Sequence, residues 1–90
     1  MIQTLTGHTL SVKALTVLQN GNLVSGSADS TIKIWNPTTG ALIQTLAGHP
    51  APVLALTVRQ NGNLVSGSID NTIKIWGTSY EGTLLISDFF

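Results

Sequence analysis

Ninety residues with four Lys or Arg against four Asp or Glu carry no formal charge, so no basic field attracts a phosphate backbone and nucleic acid is not an expected partner. There is no cysteine, which excludes disulfides and thiolate chemistry, and no apolar run approaches the roughly 20 residues of a membrane span. The length suits one small domain, and 42% hydrophobic residues at zero net charge leave little electrostatic protection against self-association. In chain order, residues 2–6 read as a short strand, and Gly7-His8 then turns the chain. Val12 to Leu18 is almost continuously apolar, the pattern of a strand covered on both faces. Asn20-Gly21 is a hairpin signal, because both residue types tolerate positive φ. Asn22 to Ser27 returns as a strand, and Ala28-Asp29-Ser30 makes a second turn. Thr31 to Trp35 alternates, with Ile32 and Ile34 on one face and Thr31, Lys33 and Trp35 on the other. Asn36-Pro37-Thr38-Thr39-Gly40 is a loop by composition, and Leu42 to Leu46 is the next strand.

The pattern then starts again. Shifted by 41 positions, Ile2–Asn36 and Ile43–Gly77 are identical at 26 of 35 positions, without a gap. Gly7-His8, Ser25, Asp29 and Trp35 fall on Gly48-His49, Ser66, Asp70 and Trp76. A period of about 40–45 residues with Gly-His near its start and Trp at its end is a repeat signature. The ending also fits: Gly82-Thr83-Leu84-Leu85-Ile86 resembles Gly40-Ala41-Leu42-Ile43-Gln44 after one extra loop residue, and reads as an outer strand reached through residues 78–81. Asp88-Phe89-Phe90 then ends the pattern.

Gly7-His8, Asn20-Gly21, Leu23 to Ser27, Asp29 and Thr31-Ile32-Lys33-Ile34-Trp35 resemble one WD40 repeat, and Gly48-His49 through Trp76 a second. The resemblance covers residues 2 to 77, and it departs from the family pattern after the Trp, where the usual Asp is Asn36 or Gly77. It implies an all-β fold: two four-stranded antiparallel propeller blades plus a spare N-terminal outer strand, a partial β-propeller. The expected divisions are 1–6 as the outer strand of a preceding or partner blade, 7–46 as the first repeat, and 47–90 as the second with a degenerate outer strand. A blade hides both faces only by stacking, and at least three repeats are normally needed for stability. The chain is therefore expected to form a homo-oligomer or to be part of a longer propeller.

Ser25, His8 and Asp29 are the residue types of a hydrolase triad, which needs an exposed nucleophile and an oxyanion site. The trio recurs intact as Ser66, His49 and Asp70, each set paired with a Trp, which suits a duplicated structural network better than two catalytic centres. The resemblance implies a hydrogen-bond chain from Trp through Ser and His to Asp. An indole N–H must find an acceptor when buried, and an Asp on the other ring nitrogen fixes the His tautomer. His8 and His49 stand alone in separate repeats, so no metal site and no cofactor is expected. Gly26 and Gly67, within strands, suggest close backbone approach.

The copies differ at Thr6/Ala47, Thr9/Pro50, Leu10/Ala51, Ser11/Pro52, Lys13/Leu54, Leu18/Arg59, Ala28/Ile69, Ser30/Asn71 and Asn36/Gly77. Most of these lie in the loop after Gly-His or in the turn holding the Asp, which project from the same end of a meander. By the resemblance this end is the top rim, where Ser11, Lys13 and Ala28, and Pro52, Leu54 and Ile69, point outwards to bind a protein or peptide. Loops also drift without selection. The expectation is a non-enzymatic interaction scaffold. Its rivals are a structural propeller fragment with no ligand, and a propeller binding a glycan or small molecule, for which aromatic platforms are too few. Met1 leads into Ile2-Gln3-Thr4-Leu5 without a basic start or long apolar core, so no signal peptide is read and a cytoplasmic location is expected.

Overall fold

The computed structural model describes residues 3–60, 62–78 and 84–86, excluding the side chains of 78 and 84–86. Met1, Ile2, Asn61, the connection 79–83 and the ending 87–90 lie outside the described residues. Eight strands run in chain order: β1 (Val12–Val17), β2 (Leu23–Ser27), β3 (Ile32–Trp35), β4 (Leu42–Leu46), β5 (Val53–Val58), β6 (Leu64–Ser68), β7 (Ile73–Thr78) and β8 (Leu84–Ile86). They form two four-stranded antiparallel meanders, β1-β2-β3-β4 and β5-β6-β7-β8. The tail strand β8 pairs with β7 as an outer strand, as its sequence likeness to β4 suggested, but in another register: Ile86 lies opposite Trp76, where Leu42 lies opposite Trp35. No described helix is long and apolar enough to cross a membrane.

The register of the inner three strands repeats as the sequence does. Ser25 lies opposite Leu15 on one side and Lys33 on the other, and Ser66 opposite Leu56 and Lys74. A bulge between Val12 and Ala14 recurs between Val53 and Ala55. It shifts the alternation, so Val53, Leu56 and Val58 share the face of the second sheet that meets the first. There β5 packs against β1 and β2. The buried cluster joins Val24, Ile32, Ile34 and Leu46 to Val53, Leu64 and Trp76, with Leu18, Leu56 and Val58 packed beside it. Gly26 shows why one strand position lacks a side chain. A Cβ there would sit 2.7 Å from Val53 Cγ1 and 3.2 Å from Leu56 Cδ1.

Three sequence expectations change. Val12–Val17 is not covered on both faces: Val12, Leu15 and Val17 are exposed, while Ala14, Thr16 and Leu18 turn towards the second sheet. An apolar run shows that a strand could be covered, not that its neighbour is present. The Asn20-Gly21 hairpin has positive φ only at Gly21 (91°), so it is not the two-residue turn in which both positions are left-handed. Gly21 N donates to Leu18 O and Leu18 N to Asn22 O, a turn closed by a glycine bulge, while Asn20 Oδ1 accepts from Asn22 N. Finally, residues 3–8 carry no strand. The two positions an outer strand takes, beside β3 and β7, are held by β4 and β8. The Gln3 carboxamide instead donates to Pro37 O (2.9 Å) and accepts from Gly40 N (3.1 Å).

Candidate functional site: a duplicated polar network and the rim above it

In each sheet the loop before the first strand returns over the second and third strands. Gly7 makes this possible, because a Cβ there would stand 2.9 Å from Trp35 Cη2; at Gly48 it would stand 2.5 Å from Trp76 Cη2. With the glycine flat against the indole, the next residue reaches the serine. Trp35 Nε1 donates to Ser25 Oγ (2.9 Å), Ser25 Oγ lies 2.6 Å from His8 Nε2, and His8 Nδ1 lies 2.9 Å from Asp29 Oδ2. The direction of the protons follows from the indole, which can only donate. Ser25 accepts from Trp35 and donates its own proton to His8 Nε2, so Nδ1 carries the imidazole proton and donates to Asp29. The His8 and Trp35 rings meet edge to face, with centroids 6.3 Å apart.

The second copy repeats this with Trp76 Nε1 to Ser66 Oγ at 3.0 Å and Ser66 Oγ to His49 Nε2 at 2.7 Å, but His49 Nδ1 to Asp70 Oδ2 is 3.4 Å. One sequence difference accounts for the looser end. Thr9 N donates to Asp29 Oδ2 (3.0 Å), and Pro50 at the equivalent position has no N–H to give. For Asp29, burial acts to raise the pKa. Donation by the Thr31 hydroxyl, His8 and the Thr31 and Thr9 N–H groups outweighs it and holds the carboxyl well below the usual range. Asp70 is also lowered, first by the Thr72 hydroxyl, against some burial, then by Thr72 N–H and His49.

Ser25, His8 and Asp29 thus stand within the distances of a catalytic triad, yet the arrangement lacks what a nucleophile needs. Ser25 and Ser66 are buried, and each oxygen is capped by an indole N–H. Among the described residues, no group of three or more His, Cys, Asp or Glu could hold a metal ion.

Two further pairs complete the network; the sequence offers Ser27 only as a rival to Ser25, which the family resemblance alone prefers, and assigns no role to Thr31 or Thr72. Ser27 Oγ donates towards the Ser11 and Leu10 carbonyls and accepts from Asp29 N, as Ser68 does with Pro52, Ala51 and Asp70 N. Thr31 and Thr72 each bind their Asp through both N–H and hydroxyl. Both pairs recur at the same spacing of 41 as the residues singled out, and that recurrence was their visible signal. The tight turn they hold puts Ser30 and its counterpart Asn71 at φ 74° and 68°. At the departure after the Trp, Asn36 Oδ1 accepts from Thr38 N and Thr39 N, the work an Asp oxygen could do; Gly77 offers no such acceptor.

The rim residues come together in pairs. Ala28 N donates to Ser11 O, and Ile69 N to Pro52 O, so each turn holding the Asp is tied beside the loop after Gly-His. Ser11 and Lys13 are exposed and Ala28 half-buried; Leu54 and Ile69 are 48% and 58% exposed, with Pro52 half-buried between them.

The profile of the WD domain, G-beta repeat (WD40), matches residues 1–36 and 40–77. Among solved structures, the WD40 beta propeller domain of Doa1 is similar with a TM-score of 0.83 and 29% identity, over 89% of this chain and 27% of that one. The computationally designed Ika4 protein is similar with a TM-score of 0.76 and 39% identity, over 94% of this chain and 51% of that one. The chain thus spans about a quarter of the one and about half of the other. No match to a curated protein was found. WD40 domains typically bind proteins or peptides. With two matched repeats over most of its length, each folded as a four-stranded meander, this chain belongs to the WD40 family.

Proposed function

We propose that the chain is a non-catalytic interaction module built of two repeat units, 7–46 and 47–90, which binds a peptide or protein on its top rim. Ser11, Lys13 and Ala28 form the polar half of the site, and Pro52, Leu54 and Ile69 the apolar half. The fitting ligand presents an apolar side chain to Leu54 and Ile69, with an acidic or hydrogen-bonding group towards Lys13.

The observation that carries this reading is where the two copies part. Most of their differences lie in the two loops that the Ala28–Ser11 and Ile69–Pro52 hydrogen bonds join. The Gln-Asn-Gly-Asn turns at the other end are unchanged. Exposed apolar side chains gathered at one place are a common mark of an interface. The buried, indole-capped serines support the absence of catalysis, since no hydroxyl of the duplicated trio is open to a substrate.

The test is selection of a random peptide display library on the immobilised chain, followed by Leu54→Ser with Ile69→Ser. Selected peptides should lose at least tenfold in affinity while the circular dichroism spectrum stays unchanged. Peptides bound equally well by the variant would overturn the assignment.

A further inference from the structure

The two outer flanks of this molecule are the two halves of its own internal interface. Inside the chain, the first sheet offers Ala14, Thr16, Val24, Gly26 and Ile32 as a groove, and Val53, Leu56 and Val58 of the second sheet fill it. The second sheet carries the same groove on its far side, as Ala55, Thr57, Val65, Gly67 and Ile73, and there it is open, with a volume of about 200 Å³. The first sheet carries the same insert on its own far side, as Val12, Leu15 and Val17, with 50%, 61% and 55% exposed. Ile32 is 1% exposed in the filled groove and Ile73 is 74% exposed in the empty one.

The glycines give the sharpest comparison. A Cβ on Gly26 would strike Val53 and Leu56, whereas a Cβ on Gly67 meets only Ala55 Cβ at 4.0 Å. Gly67 therefore keeps room for a valine and a leucine that the described residues of its own chain do not bring there. The polar tie between the sheets shows the same vacancy. Gln19 Nε2 donates to Gln60 O (2.9 Å), and its Oε1 crowds Gly62. The repeat counterparts are Gln60 as donor, Gln19 O as acceptor and Gly21 as the crowded residue, and nothing lies within 4 Å of a Cβ on Gly21.

We propose that a second copy of this chain docks its Val12–Leu15–Val17 face into the Gly67–Ile73 groove, head to tail. The contact reproduces the inner-strand part of the internal one, with the Gln60 side chain donating to Gln19 O of the next copy. Two positions differ: the buried Leu46 has Asp88 as its counterpart in the tail, outside the described residues, and Arg59 stands where Leu18 packs at the internal interface. At the edge of the contact its aliphatic stem covers apolar surface while the guanidinium reaches water. Such an interface is heterologous, so repetition ends only when a ring closes. Closed propellers have roughly four to eight blades, which corresponds to roughly two to four chains of two blades each.

The experiment is sedimentation velocity on the 90-residue chain at tens of micromolar. The expected species is a discrete oligomer rather than the 9.5 kDa monomer. Gly67→Leu blocks the groove and Leu15→Asp spoils the insert; each alone should sediment as a monomer with unchanged far-ultraviolet circular dichroism. Ile73→Asp, at a more exposed position of the same groove, replaces Gly67→Leu if that variant does not fold. Mixing a groove variant with Leu15→Asp leaves one good groove and one good insert, so the mixture should form a one-to-one complex of twice the chain mass. A monomeric parent chain would overturn the proposal. So would an oligomer indifferent to both kinds of variant, or blocked variants that fail to pair when mixed. Capture of an unrelated partner in the groove, without self-pairing, also overturns it.

Discussion

Ser25→Ala is the perturbation that most directly probes how the polar network acts. It removes two bonds at once: the acceptor of the Trp35 indole N–H and the donor to His8 Nε2. Trp35 is 4% exposed, so its N–H has no ready access to water. A buried donor left without a partner costs about 1–3 kcal/mol, and losing the His8 bond adds about 0.5–1.5 kcal/mol. The expected loss is about 2–4 kcal/mol, large against the stability of a small domain. Part of that cost exists only because of the indole. In a Trp35→Phe background no N–H is orphaned, so Ser25→Ala should cost about 1–3 kcal/mol less there. The assay is urea unfolding of all four members of the cycle, followed by circular dichroism because the fluorophore is removed. One protein concentration must be kept throughout, since association adds a concentration-dependent stabilisation. A coupling above about 1 kcal/mol supports a linked chain of bonds. Additivity within about 0.3–0.5 kcal/mol, the behaviour of independent sites, would refute it.

Asp29 and Asp70 have folded pKa values below their ordinary 3.8, so the unfolded chain binds more protons in that range and stability falls as the solution is acidified. Their contribution is fully present above the unfolded value and is lost as pH drops below it towards the folded values; Asp29→Asn should flatten stability against pH in that window more than Asp70→Asn, as read by urea unfolding from pH 2 to 6. Gly48→Ala drives a methyl group into the Trp76 ring and should cost about 1–3 kcal/mol by urea unfolding. Gly7→Ala, with more room, should cost less, and equal costs would contradict the geometry. Arg59→Leu restores the residue of the internal interface at the open groove and should lower the association midpoint in a sedimentation dilution series; an unchanged midpoint would place Arg59 outside the contact.

Strand positions were legible because a repeat states everything twice. Gly-His, the Ser and the Trp recur at one spacing, and Trp chemistry alone demands an acceptor for each indole. The same duplication hid other parts of the network. Ser25 and Ser27 are both kept, as are Thr31 and Asp29, so identity could not separate the serine that meets the indole from the serine that meets two carbonyls. Alternation separates neighbours by face, but Ser25 and Ser27 are two apart, and only the three-dimensional path of the loop before β1 distinguishes them. Turn geometry was hidden for another reason. Asn-Gly fits several turns, and the choice here depends on Leu18 bonding to Asn22 across four residues. The strand expected at residues 2–6, absent from the described residues 3–6, is likewise a matter of partners: its sequence is close to that of β4, but both outer positions are filled.

Ile32 and Ile73 have the same side chain, the same neighbours in sequence and opposite exposure. Ile32 has both the second sheet and Leu46 of β4 against it, whereas the described pairing of β8 stops at Trp76 and no described residue lies opposite Ile73 on that side, so burial in this fold belongs to the neighbours rather than to the residue. This gives the pattern of sameness and difference between the copies a physical reading. Val12, Leu15, Val17, Val24, Gly26 and Ile32 reappear unchanged as Val53, Leu56, Val58, Val65, Gly67 and Ile73, as the proposed docking of one flank into a copy of the other requires. Ser11, Lys13 and Ala28 do not reappear, becoming Pro52, Leu54 and Ile69. The two proposals together, flanks that fit a copy of the chain and a rim that meets a ligand of another kind, match both halves of that pattern.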